Sequence, residues 1–395
     1  TVLGCTDSLA LNFDSLANTD DGSCCGDYSM LPFGFQIGQD IDGSNEKDGA
    51  GYSVSLSDDG KRMAVGYYGP GWYYGMAYSG YVRIFENSAG SWVQLGQDIN
   101  GEAIGDEFGY SVSLSSDGNT VAVGAILASD LNGNTTGHVR VYNYYNNTWN
   151  QIGNDIDGEH SGDHSGISVS LSSDGNTVAI GASGSDGDCW NCNGHDYGHV
   201  RIYNWNGNSW NQLGQDLDGE NPYDYSGSSV SLSADGNTVA IGAPQNDEGA
   251  GNNGYSSWNS GHVRIYNYNG SSWYQLGDDI DYYLPNPNAY LGNSVSLSSD
   301  GNRVAIGVPG KNKVLIYSFT GSWVQLGQDI DGEASGDRSG ESVSLSADGN
   351  TVAIGAPNAN YSSSGGVGQV RIYKNINGTW TQQGTDIDGE AAGDG

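Results

Sequence analysis

Serine and aliphatic residues alternate in a pentamer, Ser-Val-Ser-Leu-Ser, that recurs along the chain at intervals of 48 to 65 residues. Strict alternation of this kind is typical of a β-strand with one buried face. The copies begin at Ser53, Ser111, Ser168, Ser229, Ser294 and Ser342. The pentamer therefore marks six units of one internal repeat.

The unit around the second copy contains four predicted strands, A to D. They cover residues 111–115, 120–125, 139–144 and 149–156. A Ser-Asp-Gly-Asn turn joins strands A and B, a variable loop (126–137) joins B and C, and an acidic loop (157–166) leads into the next strand A. Each unit is thus predicted to be a four-stranded antiparallel meander.

A single meander cannot bury both of its faces, whereas radial stacking of meanders does so and leaves only short edges. We therefore expect an all-β β-propeller of four-stranded blades rather than a β-solenoid. Six complete units are present, and residues 35–41 resemble an orphan strand D ahead of them. A seven-bladed ring would need strands A to C from missing sequence or from another chain, so we expect self-association through an open strand edge.

Composition narrows the possible partners. The 395 residues carry 47 Asp and Glu against 13 Lys and Arg, for a formal charge of −34. Such a surface repels phosphate, which argues against nucleic acid and against a basic membrane-binding mode. No apolar run approaches the roughly 20 residues that span a bilayer, so no membrane insertion is expected. The 26 Tyr and 10 Trp argue against disorder.

Cysteines and glycosylation motifs favour a secreted or cell-surface protein. Five cysteines form two local clusters, one at the N-terminus and one in the B–C loop of the third unit. Five Asn-x-Ser/Thr motifs occur, at Asn134, Asn146, Asn269, Asn360 and Asn377. Cys189 and Cys192, with His195 and His199, superficially suggest zinc, but the Cys-to-His gap is short and we favour a disulfide between the two cysteines.

The stretch Gly-x-Ser-Val-Ser-Leu-Ser-x-Asp-Gly-Asn-x-Val-Ala-Ile-Gly-Ala-Pro resembles the FG-GAP repeat of integrin-α-like propellers, of the secreted microbial or algal type. Phe108-Gly109 matches the "FG", and the Gly-Ala-Pro runs at 242–244 and 355–357 match the "GAP". The resemblance implies a propeller over residues 31–395. The calcium loop of that family does not carry over, because here the A–B connection is only a tight turn.

Residues 1–30 are expected to form a separate small module. The stretch 4–24 resembles a Cys-bounded module of secreted microbial proteins. That resemblance implies a disulfide from Cys5 to Cys24 or Cys25, which would staple a piece too short to fold alone. A calcium clip through Asp14, Asp20 and Asp21 is the alternative.

The D–A and B–C loops of such a meander emerge on one face of a propeller, here called the loop face. An acidic motif, Asp-x-Asp/Asn-Gly-Glu with a further Asp, recurs in four D–A loops. Its carboxylates are Asp98, Glu102 and Asp106; Asp155, Asp157, Glu159 and Asp163; Asp216, Asp218, Glu220 and Asp224; and Asp329, Asp331, Glu333 and Asp337. Alternating oxygen ligands around a glycine suit Ca²⁺, although Asx-turns alone explain the pattern equally simply.

Two further sets recur. Arginines in one register of strand C are expected to pair with carboxylates between strands or blades; they are Arg83, Arg140, Arg201, Arg264 and Arg371. Aromatic residues in the B–C loops are candidates for binding a glycan or a protein, or for packing on a neighbouring blade. They are Tyr67, Tyr68, Trp72, Tyr73, Tyr74 and Tyr78 in the first unit, and Tyr255 and Trp258 in the fourth.

No catalytic constellation stands out from the repeat, so the sequence predicts a protein that is not an enzyme. The first hypothesis is an extracellular structural or adhesive glycoprotein, calcium-stabilised and able to form fibres, that binds a protein or glycan at its loop face. The second is a lectin-like module that uses the Tyr and Trp loops. The third is a calcium-dependent hydrolase.

Overall fold

The computed structural model is all-β, as expected, with six blades of antiparallel strands. It describes residues 3–4, 19–20, 36–44, 48–69, 72–73, 76–185, 196–247, 259–281, 288–359 and 366–390. The one helical element in this part of the chain is a 3-10 turn, Pro309–Lys311. No helix in these ranges is long and apolar enough to cross a membrane.

Each blade follows the order A-B-C-D along the sheet. Strand A is β3 (Ala50–Leu56), β10 (Phe108–Leu114), β15 (Ser168–Leu171), β20 (Ser229–Leu232), β25 (Val295–Leu297) and β30 (Ser342–Leu345). Strand B is β4 (Arg62–Tyr67), β11 (Thr120–Ala125), β16 (Thr177–Ala182), β21 (Thr238–Ala243), β26 (Arg303–Val308) and β31 (Thr351–Ala356). Strand C is β7 (Tyr81–Ser88), β12 (His138–Tyr145), β17 (His199–Trp205), β22 (His262–Tyr268), β27 (Lys313–Phe319) and β32 (Gln369–Ile376).

The outermost strand differs from the prediction because it is broken in two. Strand D is β8 (Ser91–Gln94), β13 (Thr148–Gln151), β18 (Trp210–Gln212), β23 (Trp273–Gln275), β28 (Trp323–Gln325) and β33 (Thr379–Gln382). A second piece, D′, is β9 (Ile99–Asn100), β14 (Ile156–Asp157), β19 (Leu217–Asp218), β24 (Ile280–Asp281), β29 (Ile330–Asp331) and β34 (Ile387–Asp388). Both pieces pair with strand C, and a glycine with positive φ between them, such as Gly153 at 76°, interrupts the ladder.

Four more short strands lie outside the blades. A parallel pair, β1 (Leu3–Gly4) and β2 (Thr19–Asp20), is all that is described of the predicted N-terminal module. An antiparallel pair, β5 (Trp72–Tyr73) and β6 (Met76–Ala77), lies in the B–C loop of blade 1.

The cores of the protein lie between blades, where one sheet packs on the next. Between blades 2 and 3, for example, Val139 and Val141 of strand C face Leu171 and Ile180 of the next blade. Five such clusters of buried residues join the six blades in sequence. Apolar burial of this kind is the main stabilising contribution expected in a protein without long helices.

Hydrogen bonds tie neighbouring blades together near the axis. The amide of Leu114 donates to Oγ of Ser55, which lies in strand A of the preceding blade, at 2.9 Å. The equivalent leucines of the four later blades make the same bond. The hydroxyl of Ser111 donates to the carbonyl of Gly166 in the following blade at 2.6 Å. The small residues of strand A are therefore used for close approach between backbones, which explains why the pentamer keeps serine.

Candidate functional site

The loop face forms as the sequence predicts, because D–A loops bond directly to B–C loops. The amide of Gly158 donates to the carbonyl of Gly137 at 2.8 Å, and the amide of Gly162 donates to the carbonyl of Thr135 at 2.8 Å. The acidic motif of each blade is consequently held beside the variable loop of the same blade. The carboxylates at the four positions of the motif have different surroundings.

The last carboxylate of the motif is buried and closes its own loop. Oδ2 of Asp163 accepts hydrogen bonds from the amides of Glu159 and His160, each at 2.8 Å. The equivalent residues also accept backbone amides; they are Asp106, Asp224 and Asp337. These four carboxylates are 1–7% exposed and shape the loop from within.

The glutamate of the motif reaches a buried arginine of the next blade. Glu102 lies 2.7 Å from the guanidinium of Arg140, and Glu159 lies 3.4 Å from that of Arg201. Glu220 makes the same contact with Arg264 at 3.3 Å. The predicted pairing of the strand C arginines with carboxylates is confirmed at these positions, and it links consecutive blades. The last glutamate of the motif, Glu333, is exposed.

The first aspartate of the motif pairs within its own blade. Asp98 accepts two hydrogen bonds from the guanidinium of Arg83, at 3.0 and 3.1 Å. Asp155 does the same with Arg140, at 2.8 and 2.6 Å. Burial lowers the pKa of Arg140, but its hydrogen bonds to Asp155 and Glu102 outweigh this and the net shift is upward.

Two of the first aspartates lack an arginine. Asp329 pairs with Lys313 at 2.6 Å, because blade 5 has a lysine at the start of strand C. Asp216 accepts a short hydrogen bond from the side chain of Gln212. Every first aspartate in the four motifs accepts such a bond from a strand D glutamine.

The middle aspartate varies most between blades. Its backbone carbonyl accepts a hydrogen bond from the strand C arginine of the next blade at Asp157, Asp218 and Asp331, so the variation lies in the carboxylate. The carboxylate of Asp331 lies 3.4 Å from Lys313 in blade 5. Asp157 of blade 2 has no hydrogen bond to its carboxylate within the described residues. Burial raises the pKa of Asp157, and the nearby charges of Asp155 and Asp130 raise it further.

The fifteen carboxylates therefore do not gather into one large cluster; they lie in four loops. Within a loop, the last aspartate points inward and the first carboxylates stay beside strand C, and in three of the four loops the glutamate reaches the next blade. Calcium binding at these residues stays a prediction.

Three histidines that the sequence shows only as a repeat register lie next to these aspartates. His138, His199 and His262 begin strand C in blades 2, 3 and 4, and all are buried. Nδ1 of His138 lies 3.9 Å from Oδ2 of Asp155 and 3.9 Å from Oδ1 of Asp157. Burial and the charge of Arg140 lower the pKa of His138, which favours a neutral imidazole at neutral pH. The recurrence of histidine at one strand end was the available signal.

An open cleft lies beside Asp155 and Asp157 of blade 2. Its volume is about 820 Å³, and Glu102, Asp130, Asp155 and Asp157 line it. A neighbouring cleft of about 500 Å³ shares both of those last aspartates and adds Trp210 of blade 3. Four carboxylates therefore face one cleft on the loop face.

The aromatic candidates have different fates. Tyr67 is fully buried, stacks on Tyr81 at 4.4 Å and lies under the guanidinium of Arg83, so its predicted place on a binding surface is wrong. Tyr68 is partly buried, beside the exposed Tyr52. Only the backbone of Trp72 and Tyr73 is described. Tyr74, Tyr255 and Trp258 lie outside the described residues.

The predicted cysteine pairs and one of the five predicted glycosylation sites cannot be placed in the fold. Cys5, Cys24, Cys189, Cys192 and Asn360 lie outside the described residues. The other four motifs have exposed asparagines; three are in C–D turns, and Asn134 is in the B–C loop of blade 2. The turn positions are Asn146, Asn269 and Asn377.

The sequence profile described as the FG-GAP repeat matches residues 100–142, which run from D′ of blade 1 through strand C of blade 2. The chain is a β-propeller, and one segment of it is similar to the FG-GAP repeat. No curated protein sequence matches it. The profile match and the six blades together support the propeller family. No comparison supports the Cys-bounded module.

Several solved structures are similar in fold, and three of them are bacterial proteins. The periplasmic gluconolactonase of Pseudomonas aeruginosa has a TM-score of 0.56 at 14% identity, over 85% of each chain. A proposed 6-phosphogluconolactonase of Bacteroides uniformis has a TM-score of 0.56 at 11% identity, over 86% of this chain and 85% of its own. A protein from Lactobacillus plantarum has a TM-score of 0.54 at 14% identity, over 86% and 85%.

These relatives correct the prediction that the chain is not an enzyme, which is wrong. Propellers of this fold include proteins named as lactonases, so repeat symmetry in the sequence is no ground for excluding catalysis. At 11–14% identity the likeness itself concerns the fold.

Proposed function

We propose that the protein is an extracellular assembly module whose propeller ring is completed by strands from a partner polypeptide. One observation carries this proposal: five of the blade-to-blade junctions have a buried core, and the junction from blade 6 to blade 1 has none within the described residues. The partner contributes strands A, B and C of a seventh unit. Unpaired strands and uncovered sheets are common sites of such strand addition.

The two faces beside this junction, here called the open wedge, are apolar and exposed. Leu56 of blade 1 is 56% exposed, whereas the equivalent leucines of the other blades are 7–8% exposed. On the other side, Val370 of blade 6 is 38% exposed, and its equivalents in the other blades are fully buried. Ile387 is likewise 39% exposed, while its equivalents are at most 6% exposed. These side chains match the two halves of every core between blades.

Hydrogen bonding stops at the same place. A ladder of amide-to-carbonyl bonds joins the A–B turns from Asp58 and Ser116 through to Ser299 and Ala347, at 2.9–3.0 Å. Among the described residues it has no link from Ala347 back to Asp58. Ser344 likewise lacks the bond to a following strand A that its equivalents make. The open wedge therefore has both unused apolar surface and unused backbone groups.

The outermost strand of the missing unit is already in place. Nε1 of Trp92 donates to the carbonyl of Ile37 at 3.0 Å, and the side chain of Gln39 donates to the carbonyl of Trp92 at 2.8 Å. The same pair of bonds joins strand D of blade 1 to Trp149 of blade 2. Residues 36–42 thus occupy the strand D position of a preceding blade, although with no strand C beside them they form no ladder.

This orphan strand supports a three-stranded occupant over a whole blade. A whole blade 6 from a second copy would bring its own strand D and collide with residues 36–42. A three-stranded piece, A to C, fits instead. The exposed glycosylation motifs at Asn146, Asn269 and Asn377 support the extracellular part of the proposal, and their position in C–D turns leaves the loop face clear of glycans.

The test adds the missing strands. A copy of residues 339–376 is placed on a carrier protein and mixed with the full chain, and binding is measured by sedimentation velocity. We expect a one-to-one complex and a higher melting temperature. The matched control is the same copy with both apolar residues of its pentamer changed to Asp. Absence of binding to the unmodified copy would contradict the assembly proposal.

A second arm appends the same copy after Gly395. If this raises the melting temperature while the carrier-borne copy does not bind, the ring is completed within one chain and assembly with a partner is rejected. If the chain alone forms dimers that the appended copy does not disrupt, the association uses another surface.

Lactone hydrolysis is a second candidate, because two of the similar structures carry lactonase names. The described mouth of the central channel on the A–B turn side has a volume of about 170 Å³ and is lined mainly by leucine, serine and alanine. Acid release from gluconolactone, measured by pH titration against a heat-inactivated sample, tests this candidate directly.

A further inference from the structure

The start of strand C is occupied by a buried histidine in three consecutive blades. His138, His199 and His262 hold this position, and each faces an aspartate of D′ across the sheet. In blade 2 the facing residue is Asp157. The remaining blades have Tyr81, Lys313 and Gln369 instead.

His138 differs from its equivalent in blade 3 by the lack of a hydrogen-bonding neighbour. Nδ1 of His199 lies 2.9 Å from Oγ of Ser185. The residue equivalent to Ser185 in blade 2 is Ala128, whose carbonyl accepts the same backbone bond from the glycine before the histidine. Alanine offers no side-chain partner, so Nδ1 of His138 is buried without a hydrogen bond. His138 is 4% exposed, and such a nitrogen requires an explanation.

The nitrogen points at two carboxylates at a distance that suits a bound ion. Oδ2 of Asp155 and Oδ1 of Asp157 are each 3.9 Å from it, too far for a hydrogen bond. Ligand atoms about 2.1 Å from one ion are about 3.4 Å apart in a tetrahedral site, so an ion here requires the carboxylates to close in by about 0.5 Å. Oδ2 of Asp155 also accepts a hydrogen bond from Arg140, which leaves its second lone pair available.

The local charge also favours a cation. Glu102, Asp130, Asp155 and Asp157 line the cleft beside this group, and Arg140 pairs with two of these carboxylates. A second guanidinium, that of Arg201, donates to the backbone carbonyl of Asp157 and is itself paired with Glu159. These five carboxylates against two guanidinium groups leave an excess of negative charge. The cleft is open to solvent, so an ion has a route in and water can complete its coordination.

We propose that His138, Asp155 and Asp157 bind a divalent transition-metal ion of the zinc and cobalt class. One imidazole nitrogen with two carboxylate oxygens is a donor set for such ions, whereas Ca²⁺ takes oxygen ligands. The site differs from the calcium prediction for the same loop, and it is independent of how the open wedge is filled.

The test is a Co²⁺ titration of the chelator-treated full chain, followed by visible absorption, with Zn²⁺ displacement as the second step. We expect His138→Ala and Asp157→Asn each to lose one equivalent of Co²⁺ relative to the unmodified chain. Ala128→Ser, which gives His138 the partner that His199 has, is expected to weaken that equivalent at least tenfold. Thermal melting of the metal-free variants shows that they are folded.

The matched control lies in blade 5, where Lys313 replaces the histidine. Asp331→Asn is expected to leave the number of bound Co²⁺ ions and their spectrum unchanged. Excess Ca²⁺ is expected not to displace the equivalent lost in His138→Ala. Equal stoichiometry in the unmodified chain, His138→Ala and Asp157→Asn overturns the proposal, and so does displacement of that equivalent by Ca²⁺.

Discussion

At the scale of single residues, close backbone approach between blades limits what the repeat tolerates. A Cβ on Gly181 of strand B would lie 2.0 Å from the carbonyl oxygen of Gly227 in the next blade. Because that oxygen belongs to a hydrogen-bonded backbone, it cannot move aside. We expect Gly181→Ala to lower the free energy of unfolding by about 3 kcal/mol, measured by urea denaturation.

The chain provides the control for this substitution in blade 6. A Cβ on the equivalent Gly355 would clash only with the hydroxyl of Ser342, because no described residue of a following blade packs there. A serine side chain can rotate, so Gly355→Ala should change the free energy of unfolding by less than about 1 kcal/mol. Equal losses for the two variants would show that a blade does cover blade 6.

Residue-level prediction from sequence succeeded where a pattern implied a charge partner. The five arginines of strand C were expected to pair with carboxylates, and Arg140 does so with Asp155 and Glu102. His138 was missed because its register looked structural. Nδ1 of His138 lacks a hydrogen bond because Ala128, ten residues earlier, stands where blade 3 has Ser185. The sequence alone does not show that these two positions are neighbours. Tyr67 was misplaced because a strand end was read as part of a loop.

At the scale of elements, the A–B turns depend on an ionised aspartate. Oδ1 of Asp348 accepts bonds from the hydroxyl of Ser346 and the amide of Asn350, at 2.6 and 2.9 Å. The Ser346 bond and then the Asn350 bonds lower the pKa of Asp348 to about 2. Five other turns have the same arrangement, with aspartates of lowered pKa; they are Asp59, Asp117, Asp174, Asp235 and Asp300.

A lowered pKa has a defined consequence for acid stability. The unfolded chain protonates an aspartate near about pH 4, so the stabilising turn contacts are fully present above that pH. They are lost as the pH falls towards 2. We expect Asp348→Ala to melt at a lower temperature than the unmodified chain at pH 6, and the gap to close by pH 2. A gap that is constant with pH would contradict this assignment.

The elements themselves were largely predictable from sequence. Alternation fixed strands A and C, and the Asp-Gly-Asn turn fixed the A–B hairpin, because both patterns are local. The break between D and D′ was not predicted. The glycine with positive φ that interrupts the ladder recurs in every unit, as at Gly96 and Gly153, so the signal was present in the sequence. It was missed because the alternation of apolar residues continues on both sides of that glycine.

At the scale of the whole molecule, the open wedge separates two otherwise equivalent leucines. Leu232 belongs to a closed core between blades, whereas Leu56 borders the open wedge. Leu232→Asp places a charge in an apolar core and is expected to cost more than about 3 kcal/mol of unfolding free energy. Leu56→Asp lies on exposed surface and should change that free energy by only about 0.5 kcal/mol.

The same leucine also reports whether the ring has been completed. When a copy of residues 339–376 is appended after Gly395, Leu56 becomes a core residue if the new strands occupy the open wedge. Leu56→Asp should then cancel most of the stability that the appended strands add, because a charge cannot share that core with Val370 and Ile387. Urea denaturation of the four chains, with and without the appended copy and the substitution, gives the coupling directly. If Leu56→Asp costs the same in both backgrounds, the appended strands lie elsewhere, and the open wedge is not where a seventh unit binds.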